Sequence, residues 1–224
     1  MAGKMVSFPS ASGQVSGYFS SEGNGPGVIV IQEWWGLVPH VKNVADRFAS
    51  AGFSAIAPDL YHGKSTRSPD EAGKLMMALD INRAEQELAA AVSYLRSHPS
   101  NLKQKVGCVG FCMGGALSLF EASRNPDIDA CVVFYGGHPN VKPDLQNLKA
   151  PVLGLYAGKD GFVTPDSVHE LDRMLTELGR AHQFHTYVEA DHAFFNDERP
   201  EVYNRAAAED AWRRTVRFLN EHLD

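Results

Sequence analysis

A chain of 224 residues, 44% of them hydrophobic, can bury about 70–75% of the surface its unfolded form exposes, so one domain spanning residues 1–224 is the expected organisation. A formal net charge of −6 with no basic block or Lys/Arg stripe excludes the electrostatic footprint of a nucleic-acid binder or of a protein drawn to anionic membranes. There is no leader-like N-terminus or membrane-length apolar run, which points to the cytoplasm; the three cysteines, an odd number with no paired zinc spacing, are expected to be reduced thiols.

Along the chain, short runs rich in Val and Ile alternate with segments of helical period. "QVSGYF" predicts an early strand and "SSEGNGPG" a turn, while "GVIVIQ", apolar almost throughout, predicts a strand buried on both faces. Val41, Val44, Ala45, Phe48 and Ala49 fall on one helical face, with Gly52 placed to stop the helix. "FSAIAP" is the next strand. Ser68, Pro69 and Glu71 form a capping-box start, and Leu88, Ala91, Val92 and Leu95 mark the inner face of a further helix. Strands follow at "KVGCVG", "ACVVFYG", "PVLGLYAG" and "QFHTYVE", with helices expected over residues 113–123, 165–178 and 201–222. This βαβ series predicts an α/β fold: a mostly parallel, twisted sheet with helices on both faces, binding its ligand beyond the carboxyl ends of the strands.

Four polar residues stand at such ends: Glu33, Cys112, Asp160 and His192. Cys112 occupies the centre of "GFCMG", a G-x-nucleophile-x-G pattern between a strand and a helix. Such a turn exposes the central side chain, and the first helix amides can favour a thiolate and bind an oxyanion. Cys108 and Cys131 lie inside strand-like runs and read as buried hydrophobes. A lone histidine among nine, or an aspartate in the turn "AGKDGFVTP", carries little by itself. Asp191, the rival acid, is a chain neighbour of His192 whose side chain should diverge from the ring. Chain order decides more: Cys112, Asp160 and His192, 48 and then 32 residues apart, follow the nucleophile–acid–histidine order of α/β-hydrolases. A class I amidotransferase is disfavoured, because no H-x-E pair follows the cysteine.

With "IQEWWGL", "RFASAGFSAIAPDLY", "VGFCMGG", "FYGG", "AGKDGFV" and "DHAFFN" in this order, the chain resembles the dienelactone hydrolases, a cysteine-dependent branch of the α/β-hydrolases, over nearly its whole length. The resemblance implies that Glu33 contacts the resting thiol and helps to deprotonate it on substrate binding, and that the backbone amides of Met113 and Trp34 hold the oxyanion. Cys112 would attack a small ester or lactone to give a thioacyl intermediate, as in a carboxymethylenebutenolidase. His192 would move the proton, and Asp160 would fix the ring.

Trp35, Tyr135 and Asn196 are candidate substrate contacts; no metal and no cofactor is expected. The expected partner is the small-molecule substrate alone, with no nucleic acid and no membrane, and the chain is expected to be a monomer, although no sequence feature bears on oligomeric state. Family members that take dienelactone hold its carboxylate with two arginines, one a few residues past the catalytic histidine. Here Asn196 stands four residues after His192, Arg199 follows in an acidic stretch, and Lys64, Arg67 and Lys74 align with no motif, so neutral substrates are expected to be preferred. Three alternatives are a thioesterase, a hydrolase-shaped protein that binds without catalysis, and a thiol-redox protein using Cys108 and Cys112.

Overall fold

The computed structural model describes residues 3–224. It begins with an antiparallel hairpin, β1 (Lys4–Ser10) and β2 (Gly13–Ser21). The sequence reading had no strand at β1. With Phe8 as its one buried side chain and Pro9 near its end, that segment lacks a core strand's pattern, and it fits the sheet because it is an edge, where a missing N–H is tolerated.

The expected alternation follows: β3 (Gly27–Ile31), α1 (Pro39–Ser50), β4 (Ser54–Pro58), α2 (Pro69–Met77), α3 (Ile81–Ser97), β5 (Val106–Phe111), α4 (Met113–Arg124) and β6 (Ala130–Phe134). The chain closes with β7 (Val152–Ala157), α5 (Pro165–Glu177), β8 (His182–Tyr187) and α6 (Arg205–Leu223). The eight strands lie in the order β1-β2-β4-β3-β5-β6-β7-β8, parallel from β4 to β8. After β3 the chain pairs β4 on one side and later β5 on the other. That reversal opens a crevice between the carboxyl ends of β3 and β5.

Alternation within the strands builds two cores. Ile29, Ile31, Cys108, Cys131 and Val152 face α2 to α5, whereas Val28, Val30, Val109, Val132 and Leu155 face α1 and α6. Helix ends follow their sequence signals. Gly52 has φ +96° after α1, and Thr164 Oγ1 accepts from the Ser167 amide at the start of α5. At α2, Ser68 Oγ accepts from the Glu71 amide, but the reciprocal bond runs through Thr66, whose hydroxyl donates to Glu71 (2.6 Å) and accepts from the Ser68 amide (3.0 Å). α6 starts at Arg205, later than the helical period suggested, because Asn204 Oδ1 accepts from the Ala207 amide and caps the helix there. Among the described residues no helix is long and apolar enough to cross a membrane.

Cys108 and Cys131 are Cα partners on neighbouring strands, both fully buried. Burial, and then Cys131 beside it, pushes the Cys108 thiol well above its ordinary pKa, so it stays protonated and donates to the Ser118 carbonyl. Cys108 packs in the core on one face of the sheet, and Cys112 packs with the core of the other. Cys131→Ala should therefore lower the free energy of unfolding by about 1 kcal/mol in urea titration while leaving any chemistry at Cys112 intact; loss of activity in a folded variant would give this thiol a chemical role.

Candidate active site

The turn at Cys112 depends on two glycines that let backbones meet. A Cβ on Gly110 would lie 1.8 Å from the Gly114 carbonyl oxygen, and one on Gly114 would lie 2.3 Å from the Ile31 oxygen and 2.5 Å from that of Gln32. The first turn of α4 is thus pressed against the end of β3. Cys112 itself has φ 53° and ψ −118°, a conformation that costs a non-glycine residue about 1–3 kcal/mol. Its surroundings enforce it: the Cys112 amide donates to Phe134 O (3.0 Å), and its carbonyl accepts from Gly115 N (2.9 Å) and Gly137 N (3.2 Å). The same approach brings the start of α4, with Met113, beside the Glu33–Trp34 segment that continues β3. Among the described residues no group engages the Met113 or Trp34 amide.

Asp160, three residues past β7, has its side chain completely buried. One oxygen accepts from the Phe162 and Val163 amides, both at 2.8 Å, and the other meets His192 Nδ1 at 2.6 Å. That contact assigns the Nδ1 proton to the aspartate side and leaves Nε2 for Cys112. Burial alone would lower the pKa of His192. The hydrogen bond with Asp160, and after it the nearby Cys112 sulfur, outweigh it and raise the value to about 10. Asp191, by contrast, is exposed.

The loop carrying His192 is anchored by aromatic rings. Phe195 stacks on Phe111 (centroids 5.2 Å) and packs on Phe134 (4.9 Å), while Phe194 lies against Tyr135 (5.3 Å) and Tyr187 (5.0 Å). Each such pair contributes about 0.5–1.5 kcal/mol beyond its buried area. Ala193, with φ 66°, turns the chain between the ring and this anchor.

Glu33 is 1% exposed and lies in the cavity wall with Cys112. The resemblance implied a contact with the thiol. The carboxylate is instead held by Asn196 Nδ2 (2.7 Å) and the Tyr135 hydroxyl (3.4 Å), because both offer donors inside the wall. Burial, and then the Glu33 charge, pushes the Tyr135 phenol up, so it remains a donor. Asn196 and Tyr135, read as substrate contacts, thus sit behind the cavity as supports of Glu33. Tyr135 also meets the edge of the His192 ring (5.1 Å).

Trp34 and Trp35 do line the cavity, which has a volume of about 250 Å³. Its wall also holds Met76, Phe162 and Arg199, which the sequence reading did not place there. Met76 and Phe162 had no signal beyond apolarity. Arg199 was visible as the first arginine after His192, but only the path of the loop brings it back over Trp35 (5.4 Å). Its guanidinium pairs with Glu201 at 2.7 Å.

A mostly parallel sheet with reversed strand order, a cysteine-bearing elbow after β5 and a histidine–aspartate pair after the last strands define an α/β-hydrolase fold. The family model for the "Dienelactone hydrolase family" matches residues 15–223. A protein of Aquifex pyrophilus named "Protein usf" is 42% identical over 99% of both chains, and one of Aquifex aeolicus named "Putative carboxymethylenebutenolidase" is 34% identical over 99% of both. The crystal structure of a "Putative Dienelactone Hydrolase" from Klebsiella pneumoniae subsp. pneumoniae superposes with a TM-score of 0.88, at 29% identity and 98% coverage of both chains. The chain belongs to the dienelactone hydrolase family and is an ester or lactone hydrolase of that type.

A histidine pKa raised from 6.5 to about 10 stabilises the fold fully below about pH 6.5, and that contribution is lost as pH rises through about 10. Asp160→Asn removes one cause of the shift. Its melting temperature should therefore fall less than that of the unsubstituted protein between about pH 7 and 10. Equal falls in the two proteins would mean that His192 is not the group responsible.

Proposed function

We propose that this hydrolase cleaves small neutral esters or lactones through a thioacyl intermediate on Cys112. The observation that carries the reading is the 2.6 Å His192–Asp160 hydrogen bond, whose ring faces the strained Cys112 in one shared cavity. The Cys112 thiolate adds to the substrate carbonyl carbon. The resulting oxyanion accepts from the Met113 and Trp34 amides, each such donor contributing about 10²–10³ in rate. Collapse breaks the carbon–oxygen bond, and the departing alkoxide takes a proton from His192 Nε2. His192 then takes a proton from water as its oxygen adds to the thioester carbon, collapse breaks the carbon–sulfur bond and releases the acid, and Glu33 returns its proton to the Cys112 sulfur.

Glu33 is the proton acceptor that this scheme gives the resting thiol. The thiolate, not the thiol, is the nucleophile, so the sulfur needs a proton acceptor before it can attack. A carboxylate held by Asn196 and Tyr135 becomes free to approach the sulfur once substrate rearranges those bonds. All four chemical positions are occupied, which disfavours a protein that only binds.

Rapid mixing with an activated ester tests the scheme. Cys112→Ala should lose at least ~10³ of kcat/KM and show no acyl adduct by intact-mass spectrometry, while Glu33→Gln should slow the acylation burst without a comparable loss of stability. A folded Cys112→Ala protein that keeps its turnover would sink the nucleophile assignment.

Substrate charge follows from Arg199. Its pairing with Glu201 leaves the cavity without an uncompensated positive group, so an anionic lactone must displace a carboxylate that is already present. A charge-assisted hydrogen bond contributes about 1.5–3 kcal/mol, a factor of about 10 to 150. Neutral short esters should accordingly show the higher kcat/KM, and Glu201→Gln should raise turnover of the anionic lactone selectively. A preference for the anionic lactone in the unsubstituted protein would reverse this reading.

A further inference from the structure

Beyond the catalytic cavity lies a second one of about 390 Å³, and the two share Met76 and Phe162 as walls. Its sides come from the loop after β6, the turn before α5 and α5 itself, chiefly Gly137, Val163, Val168 and Leu171. The chain builds this boundary deliberately. A Cβ on Gly137 would lie 2.8 Å from Val163 Cγ2 and 2.9 Å from the Phe162 ring, so the glycine lets that ring lie against the strand end. His138, buried in the same loop, accepts from the Asn140 amide at Nδ1 (3.0 Å) and donates from Nε2 to the Met76 carbonyl (3.2 Å). The second of these bonds ties the loop after β6 to the end of α2, whose Met76 lines both cavities. Phe162 is 53% exposed, unusual for a phenylalanine, and its ring edge meets His192 at 5.7 Å.

Size and polarity say what would occupy it. At about 250 Å³ the catalytic cavity falls below the ~300–1,000 Å³ usual for small-molecule sites, and with its neighbour it falls inside that range. The shared walls and most of the far ones are apolar and carry no unpaired charge. Resting on the hydrolase reading above, we propose that the second cavity is a specificity subsite for an apolar arm of the substrate, an alkyl chain that passes between Phe162 and Met76 while the ester carbon remains at Cys112. The arm belongs to the acyl or the alcohol half, and the two halves are separable by experiment.

Two ester series decide it, one lengthening the acyl chain over a constant alcohol and one lengthening the alcohol over acetate. In at least one series kcat/KM should rise about fourfold per methylene up to about six carbons, the gain expected from burying each methylene. Leu171→Trp, which fills the subsite from α5, should cut the hexyl-to-ethyl ratio in that series at least tenfold. Val168→Phe gives a second block should the tryptophan variant fail to fold. n-Hexanol should inhibit the unsubstituted protein competitively, and at least tenfold more weakly in the filled variants. Turnover of short esters with a flat response in both series, or a chain-length preference unchanged by either filling variant, overturns the subsite while leaving the hydrolase reading standing. No turnover of any ester would instead overturn the reading on which it rests.

Discussion

The placement of Cys112 depends on one backbone approach, the first turn of α4 against the end of β3. Gly114 occupies a position where even a methyl group would meet two carbonyl oxygens, and Gly110 closes on Gly114 in the same way. Because the chain can pass there, Cys112 can take a positive φ and hang from a turn rather than enter a helix. The start of α4 is thereby held against the backbone of Ile31 and Gln32 at the end of β3. The strain at Cys112 is offset by backbone bonds to Phe134, Gly115 and Gly137, which leave the turn no relaxed alternative.

The histidine is positioned by another means. No strand or helix carries His192; a loop does, and its following residues are driven into the sheet's aromatic core by apolar burial. Phe194 and Phe195 fix the loop's depth, Ala193 its direction and Asp160 the ring's rotation and tautomer. Packing energy is thereby converted into geometry, and the burial that disfavours an imidazolium is outweighed by the partners it brings close.

Glu33 shows how a carboxylate can be kept in an apolar wall without an ion pair. Two neutral donors satisfy it, one from the strand-end residue Tyr135 and one from the histidine loop through Asn196. Glu33 and the histidine are therefore mechanically linked, because Asn196 and His192 lie on one short loop.

The sequence by itself determined the succession of the parallel strands, the helix start at Ser68 and the candidate site residues. Each of these is written in local pattern: alternation, capping residues, and glycines around a cysteine. The nucleophile–acid–histidine order was equally legible, because it depends on chain succession and not on distance. Tertiary structure alone decided what surrounds those residues. The edge strand β1 exists because β2 offers it a partner, and Asn196 donates to Glu33 because the fold brings the histidine loop against the end of β3. Arg199, Met76 and Phe162 reach the cavity from a loop return, a helix end and a strand-end turn. Their convergence depends on packing between elements far apart in the chain, and no local spacing encodes that.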